Sequence, residues 1–421
     1  MSTLRAFRFK HVAVLVAALG ATAATGLLGV TPAAYAQVRE SVRPELAKPL
    51  QAAQDAIRAQ KFKEALNRLR DVDAIGGKTP FETYMVDRTR GAAAMGAGEN
   101  ELAGRSFESA LNSGRMNAGD QAKVVQALIS LYYRAQDYPK AIFWMQRAIK
   151  DGSADGETRA LLVQSYYLSG DLPRAQKELQ ADVAAAERAG RAPTEAQLQL
   201  MANLASKQND KIAYVATMER LVANYPTKAY WADLLSRVQG KPGFADRLVL
   251  DLDRLKLALG QLSSTTDYME MSQLALQAGF PAEGKKIVDV GYAKGVLGTG
   301  TDAARHKRLQ DLADKNAAED LKNMPANEAE ARKAKDGTAL VNLGYAMVTA
   351  GQTDKGIAAM LEGIARGGIK RVDDARLHLG LAYLQAGKKA DAIKAFKSVQ
   401  GTDGAADLAR YWIILTNRPM A

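Results

Sequence analysis

Apolar residues recur along this chain at the spacing of α-helices, and one stretch repeats itself almost position for position. Residues 132–141 read YYRAQDYPKA and residues 166–175 read YYLSGDLPRA, an offset of 34 residues at every matched position. The apolar positions around the match repeat in the same way: Leu128, Ile129, Tyr132, Ala141 and Met145 correspond to Leu162, Val163, Tyr166, Ala175 and Leu179. A fixed period of this length is typical of stacked supersecondary units, none of which buries its apolar face alone.

A second regularity extends the repeat over most of the chain. In each unit a Gly or Gln ends the first helix, and five positions later a small residue allows the second helix to approach closely. The predicted turn residues are Gln60, Gly98, Gln136, Gly170, Gln208, Gly279, Gly351 and Gly387. Their small partners are Ala65, Ala103, Ala141, Ala175, Ala213, Gly284, Gly356 and Ala392. Two of the steps are twice as long as the others, which predicts further turns at Gly243 and Asn316 and about ten hairpins in all.

The repeat resembles the tetratricopeptide repeat, in which W-x2-L-G-x2-Y is followed by A-x3-F. The last unit matches this pattern best, with Leu379, Gly380, Tyr383, Ala392 and Phe396 in place. The resemblance implies an all-α fold, an α-solenoid of stacked helix-turn-helix repeats that forms a right-handed superhelix. No stretch alternates with a period of two, so strands are not predicted.

Four parts of the chain follow from these patterns. They are a signal peptide at residues 1–36, an N-terminal array at 44–240, degenerate hairpins with a charged connector at 241–335, and a C-terminal pair of repeats with a terminal helix at 336–416. Pro325 is expected to interrupt the second helix of the unit around Asn316. Residues 317–335 are rich in charge and poor in large apolar residues, which predicts either an exposed helix or a hinge between two arrays.

The N-terminus has the parts of a secretory signal peptide. Arg5, Arg8 and Lys10 precede an apolar run over residues 12–30, and residues 34–36 (AYA) form a small-x-small exit. Cleavage after Ala36 would release the mature chain into the periplasm with no membrane span. The rival interpretation is an uncleaved membrane anchor, which the many Ala, Gly and Thr residues of the run disfavour.

Composition narrows the chemistry further. The chain has no cysteine, which excludes disulfides, thiolate nucleophiles and cysteine-ligated metals. Without residues 1–36 it carries 54 basic and 46 acidic residues, a net charge of +8. For an exported protein, this excess favours an acidic peptide or an anionic envelope polymer over nucleic acid as partner, and the alternative is simply a solvated basic surface.

Catalytic, cofactor and metal sites are not predicted. His306, among basic residues, is expected at the surface, and His378 is expected to pack or to line a groove. The glycine-rich segment 295–300 lacks the preceding strand and the Lys-Ser/Thr ending of a phosphate cradle. No stretch without repeats is long enough to form a compact domain around a catalytic carboxylate, and no Gly-x-Ser-x-Gly elbow occurs.

The resemblance also implies a binding groove lined by the first helices of the repeats. Carried onto this chain, its positions are Lys123, Gln126, Ser130, Tyr133 and Arg134 in one unit and Glu157, Ala160, Gln164, Tyr167 and Leu168 in the next. The predicted partner-binding residues among them are Lys123, Gln126, Tyr133, Arg134, Gln164 and Tyr167. Aromatic, amide and charged side chains together are typical of peptide sites. The alternative for Tyr133 and Tyr167 is packing between repeats.

The C-terminal segment is unusually apolar for the end of a solenoid. Residues 411–415 (YWIIL) point nearly all round a helix, so packing against residues 391–399 would leave Trp412 outside. We expect Trp412 either to contact a partner or a second copy of the chain, or to dock back into the groove of the last two units.

These patterns favour a non-enzymatic interaction protein of the periplasm, which holds a protein or peptide partner in its groove during envelope assembly or secretion. The alternative is an accessory or catalytic component acting on cell-wall or exported polysaccharide, with the repeats as an arm that guides the substrate.

Overall fold

The computed structural model describes residues 40–419, so the signal peptide predicted for residues 1–36 lies outside the described part of the chain. Within residues 40–419 every regular element is a helix, which confirms the predicted all-α fold of helical hairpins. No helix in that range is both long and apolar enough to cross a membrane. The chain divides into two compact units, whose described parts are residues 40–191 and 192–419.

The first unit consists of four helical hairpins, each a first helix followed by a second that packs back along it. Their helices are α1 (Pro44–Arg58) and α2 (Phe62–Asp73), α3 (Pro80–Ala97) and α4 (Asn100–Asn112), α5 (Ala118–Arg134) and α6 (Tyr138–Lys150), and α7 (Gly156–Leu168) and α8 (Leu172–Arg188). The unit ends in the loop at residues 189–193 (AGRAP), where glycine and proline stop the last helix.

The second unit combines four hairpins with four single helices. The hairpins are α9 (Glu195–Lys207) with α10 (Lys211–Asn224), α13 (Thr265–Gln277) with α14 (Pro281–Ala293), α16 (Thr338–Thr349) with α17 (Thr353–Arg366), and α18 (Val372–Gln385) with α19 (Lys389–Lys397). The single helices are α11 (Lys228–Gln239), α12 (Val249–Ala258), α15 (Ala303–Lys333) and α20 (Ala405–Asn417). A short 3-10 turn, Asp246–Leu248, leads into α12.

The turns between paired helices have the predicted chemistry. Seven of the eight predicted turn residues adopt a left-handed backbone, including Gln60 and Gln136 with φ of 58° and 59°. At the fifth turn the prediction is one residue early, because Asn209 (φ 55°), not Gln208, takes this conformation. Asparagine tolerates left-handed φ better than most residues, so it competes for the position.

Two successive second helices, α6 and α8, begin in the same way. Asp137 and Asp171 accept hydrogen bonds from the backbone amides of Lys140 and Arg174, and a proline follows in the first helical turn. The small residues predicted five positions after the turns are fully buried in most hairpins, Ala141 and Ala175 among them. The sequence D-x-P-x-A therefore specifies the start of the second helix and its closest contact with the first.

Residues 303–333 differ from the prediction. Asn316 is not a turn, and Pro325 does not interrupt the helix, because α15 runs unbroken through both. Proline removes the amide that would bond the carbonyl of residue 321, but Leu321 is 53% exposed, so water can take its place. Of the two interpretations of the charged connector, the exposed helix is the one that the structure shows.

Gly243 does adopt the predicted left-handed turn, with φ of 85°, yet no hairpin follows it. The next helix, α12, does not fold back along α11. It lies in the interior of the second unit, and its central residues, Leu250 to Leu255, are buried on every side. The hairpins within residues 40–419 thus number eight, because the turns proposed at Gly243 and Asn316 do not produce two more.

The last helix, α20, returns to the beginning of the second unit. Arg410 of α20 pairs with Glu219 of α10 at 3.0 Å, and the ring of Tyr411 meets Trp231 of α11 edge-on at 6.3 Å. Trp412 itself is 8% exposed, stacks on Phe396 at 6.4 Å and lines a cavity together with Tyr345 and Leu381 of the two preceding hairpins. Of the two alternatives for Trp412, an exposed contact residue or docking back into the last two units, this burial agrees with the second.

Candidate functional site

The first helices of the first unit stand side by side and are linked by polar contacts. Arg43, just before α1, donates to Glu82 of α3 at 2.9 Å, and Arg88 of α3 lies 3.4 Å from Asp120 of α5. Gln126 of α5 donates to the hydroxyl of Thr158 on α7 at 3.0 Å. These contacts align α1, α3, α5 and α7 along one face of the unit.

The six predicted site residues lie on α5 and α7, and we call them the α5/α7 face. They are Lys123, Gln126, Tyr133, Arg134, Gln164 and Tyr167. The amino-terminal caps of the two helices set the register of this face. Asp155 accepts from the backbone amide of Thr158 at 2.7 Å and from its hydroxyl at 2.8 Å, which holds the group that Gln126 contacts. The hydrogen bond from the backbone amide of Thr158 lowers the pKa of Asp155, so the capping carboxylate stays ionised.

The charged members of the α5/α7 face are its most accessible part. The side chain of Lys123 is 45% exposed, with its ammonium 3.6 Å from Asp120. Arg134 is exposed and donates from Nε to the carbonyl of Ser130 at 3.2 Å. The charged ends of both side chains lie at the protein surface. A carboxylate of a partner can therefore reach them without displacing a buried group.

The aromatic and amide members of the α5/α7 face are more buried than its two cations. Tyr133 is half-buried and meets the ring of Tyr138 edge-on at 6.1 Å, and this burial raises the pKa of Tyr133. Gln164 and Tyr167 are also half-buried. Packing, the alternative considered for the tyrosines, thus accounts for part of Tyr133, while the binding role of the face stays a prediction.

A second cluster, which the sequence patterns did not single out, lies inside the second unit. Arg254 of α12 donates from Nε and Nη2 to both oxygens of Glu283 on α14, at 2.7 and 2.6 Å, and from Nη1 to Asp251 at 2.6 Å. His378 of α18 and Tyr345 of α16 stack with ring centroids 4.5 Å apart. We call these five residues the Arg254 network.

One nitrogen of this network, Nε2 of His378, lies within hydrogen-bond distance of two partners. Nε2 of His378 lies 2.9 Å from Oδ1 of Asp251 and 3.2 Å from Nη1 of Arg254. It donates to Asp251 when it carries a proton and accepts from Arg254 when it does not. An imidazole held by a carboxylate can act as a general base, but here the ring atom is engaged by a buried ion pair. The arrangement fastens helices together rather than presenting a base.

The charges of the network compensate one another. Burial raises the pKa of Asp251, but His378 and Arg254 outweigh it and bring the value to about 2. The bidentate contact with Glu283 supplies the charge-assisted hydrogen bonds that a buried guanidinium requires. A signal for this cluster was present in the sequence, because residues 248–255 (LVLDLDRL) are apolar all round a helix apart from Asp251, Asp253 and Arg254.

Two cavities flank the Arg254 network and share no lining residue. The large cavity, about 550 Å³, is lined by Asp251, Phe280 and His378 together with residues near the amino-terminal ends of α16 and α18. The small cavity, about 260 Å³, is lined by Arg254, Glu283 and Tyr345 together with residues further along the same helices. The network is therefore a partition across the interior of the second unit.

His306 also differs from its prediction as a surface residue. It is 3% exposed, and its Nδ1 accepts a hydrogen bond from the backbone amide of Gly298 at 3.1 Å. This hydrogen bond anchors the glycine-rich segment 295–300, which the sequence predicts to be a loop. Among residues 40–419 no cluster of three or more His, Asp or Glu side chains could hold a metal ion.

No protein-family model and no curated protein matches this chain. Solved structures similar to it include Naa15/Naa10 bound to HypK-THB, at 16% identity and a TM-score of 0.29 over 86% of this chain and 59% of that one. The TPR domain of P58(IPK) is similar at 12% identity and a TM-score of 0.23, over 89% and 97% of the two chains. Yeast Tom70 is similar at 11% identity and a TM-score of 0.24, over 88% and 95%.

The chain spans about three fifths of the length of the Naa15/Naa10 chain that it matches. In its own geometry, the left-handed turn residue and the buried small residue five positions later recur from hairpin to hairpin. By this geometry residues 40–419 form a helical-repeat protein whose hairpins resemble tetratricopeptide repeats.

Proposed function

We propose that this chain is a non-enzymatic interaction protein of the bacterial periplasm, which holds a protein or peptide partner on the α5/α7 face during envelope assembly or secretion. The observation that carries the proposal is the composition of that face. Two accessible cations, Lys123 and Arg134, lie beside half-buried tyrosines and amides on adjacent first helices. Rings supply contact area, and amides and charges fix the direction of a bound chain.

The charge of the face favours an acidic segment. Lys123 and Arg134 contribute two positive charges, and none of the six residues is acidic, although the exposed Glu157 lies at a neighbouring groove position on α7. Asp120 lies close by, but it is shared between Arg88 and Lys123, so its charge is already offset. Complementary charge raises the association rate and selects among partners more than it raises the affinity.

The interior of the second unit is occupied by α12, whose Arg254 and Asp251 hold α14 and α18 through the Arg254 network. A partner helix would have to displace a fully buried ion pair in order to enter there. This favours the first unit as the place where an external partner binds.

A site-specific photo-crosslinker tests the assignment. Placed at position 134 or 123 in living cells, it should yield one defined adduct that mass spectrometry can identify. The control is position 143, because Phe143 is 58% exposed but lies on a second helix, α6. The purified partner should then bind the Tyr133→Ala/Arg134→Ala variant at least tenfold more weakly, with an unchanged helical signal. Equal adducts from position 143, or unchanged affinity of that variant, would overturn the proposal.

The periplasmic location rests on the signal-peptide pattern of residues 1–36 alone. Mass spectrometry of the purified chain should find an amino terminus at Gln37 in the osmotic-shock fraction. An intact Met1 in the membrane fraction would reject this part of the proposal and leave the binding face unaffected.

A further inference from the structure

The small cavity of the second unit combines an apolar wall with polar groups that make no hydrogen bond to any residue in the range 40–419. Its wall is built from Leu257, Met271, Ile287, Val290, Leu381 and Leu384. Four of these, Leu257, Val290, Leu381 and Leu384, are only partly buried, so apolar surface faces the space without a covering side chain. The volume of about 260 Å³ lies just below the roughly 300–1,000 Å³ usual for ligand pockets, which restricts an occupant to a small molecule.

Tyr345 carries the first unsatisfied group. The residue is 5% exposed and lines the small cavity, and its hydroxyl makes no hydrogen bond to any residue in the range 40–419. Burial raises the pKa of Tyr345, so the hydroxyl keeps its proton and remains a donor. The hydroxyl oxygen is not sealed from solvent, so it can donate to a molecule that enters the cavity.

A second donor borders the same cavity. The indole Nε1 of Trp412 is buried and makes no hydrogen bond within the described residues. Trp412 comes from α20, whereas Tyr345 comes from α16, so two residues from separate elements that line the cavity each carry an unused donor. An indole nitrogen can only donate, so it too requires an acceptor.

The cations around the cavity indicate the charge of that acceptor. Arg254 lies 5.0 Å from the centre of the Tyr345 ring, although Asp251 and Glu283 already neutralise it. Lys286 is exposed at the edge of the cavity and makes no ion pair within residues 40–419. A phenol donor and a free ammonium along an apolar wall suit a carboxylate attached to an apolar body.

We propose that the small cavity is a binding site for a small apolar monocarboxylate. Its aliphatic or aromatic body lies against the leucine wall, and its carboxylate accepts from the Tyr345 hydroxyl and pairs with Lys286. The site belongs to the second unit and uses none of the six residues of the α5/α7 face. The ligand site and the partner binding proposed above can therefore be tested separately, and the failure of one does not affect the other.

Titration of the full mature chain with 3-phenylpropionate and with hexanoate tests this site. Calorimetry gives the affinity, and tryptophan fluorescence reports occupancy because Trp412 lines the cavity. A dissociation constant of roughly 0.1–10 mM is expected for ligands with so few atoms. The neutral 3-phenylpropionamide, which has the same body, should bind about tenfold more weakly, because it lacks the charge that pairs with Lys286.

Matched variants locate the binding. Tyr345→Phe removes one oxygen and should weaken 3-phenylpropionate about tenfold, and Lys286→Gln should weaken it several-fold. The control is Lys285→Gln at the neighbouring position, because Lys285 pairs with Asp289 and Asp314 and does not line the cavity. Each variant is checked for an unchanged helical signal.

The results of these titrations either support or overturn the proposed site. Loss in the Tyr345 and Lys286 variants with full binding in Lys285→Gln supports the site. Absence of binding by either acid up to about 10 mM, or equal affinity of acid and amide, overturns it and leaves a cavity that holds only water. Equal weakening by Lys285→Gln and Lys286→Gln also overturns it, because a general surface charge would then account for the effect.

Discussion

His378 and Asp251 are 127 residues apart in sequence, and Nε2 of the one lies 2.9 Å from Oδ1 of the other inside the second unit. The contact joins α18, in the last hairpin, to α12, the helix that left the hairpin pattern. Asp251 in turn binds Arg254, and Arg254 binds Glu283 of α14. One buried chain of charges therefore connects three parts of the fold that local sequence does not relate.

Breaking this chain at its centre should be costly. Arg254→Ala leaves Asp251 and Glu283 buried without their cation, and we expect a loss of about 3–5 kcal/mol in the unfolding free energy of the second unit. Lys333→Ala is the control, because Lys333 pairs with Glu330 at the surface and its loss should cost less than about 1 kcal/mol. Urea melts followed by fluorescence measure both. A similar midpoint for the two variants would show that the network contributes no more than a surface pair.

Acid should weaken the anchor of the first helix through Glu82. The carboxylate accepts from Arg43 and from the Thr79 amide, and these bonds lower its pKa from 4.5 to about 2. A carboxylate with a lowered pKa stabilises the folded chain above its unfolded value and loses that contribution as the pH falls through the folded value. Stability should thus decline between pH 4.5 and 2, with α1 loosening from α3.

The matched variant for this prediction is Glu82→Gln. It keeps the size of the side chain and removes the titrating group, so the first unit should be weaker at pH 7 and its melting should vary less between pH 4.5 and 2. Circular dichroism melts across this range provide the measurement. An identical pH profile in wild type and variant would assign the acid sensitivity to other carboxylates.

The buried alanines after the turns should not tolerate larger side chains. Ala141 and Ala175 are fully buried where paired helices approach, and Ala141→Leu or Ala175→Leu should cost roughly 1–3 kcal/mol by overpacking. Ala213→Leu, at a half-buried position, should cost less, and Ala184→Leu on the exposed face of α8 should be near neutral. Urea melts of the four variants should fall in this order. Coincident curves would mean that the hairpin register is not set at these positions.

The left-handed turns allow a reciprocal experiment. Gln136 occupies a φ of 59°, where glycine is favoured, so Gln136→Gly should stabilise the chain by about 0.5–1 kcal/mol. At the equivalent turn Gly98 has a φ of 80°, and no atom lies within 4 Å of the place that an added Cβ would take. Gly98→Ala should therefore destabilise the chain by about 1–2 kcal/mol through backbone strain alone. Thermal melts of both variants check the pair. Shifts of the same sign would contradict the assignment of strain to these turns.

The sequence predicts local features of this fold well, because each of them depends on a few neighbouring residues. The turn at Gly170, the cap at Asp171 and the buried Ala175 all follow from one short motif. The burial of α12 and the return of α20 depend on which distant helices meet, and a repeat pattern does not contain that information. His306 shows the same limit, since its basic neighbours suggest the surface while its ring bonds the Gly298 amide.

The candidate sites show the same difference between local and distant features. Positions 123–134 and 164–167 were located by their place in the repeat, and the structure puts them on adjacent first helices. The Arg254 network was missed, because Arg254 and Glu283 are 29 residues apart and His378 is a further 95 along the chain. Only the run of leucines around Asp251 hinted that these charges lie inside the protein.

Trp412 offers the sharpest contrast between the two interpretations of the C-terminal helix. Because the indole is 8% exposed and stacks on Phe396, Trp412→Ala should act as a core truncation and cost about 3–5 kcal/mol in the second unit. Ile413→Ala, at the half-buried position next to it, should cost clearly less. Sedimentation velocity at several concentrations completes the test, since a core role predicts the same distribution for wild type and variant. If Trp412→Ala instead leaves the melting curve unchanged and abolishes a concentration-dependent dimer, the indole serves an interface between copies and not the closure of the second unit.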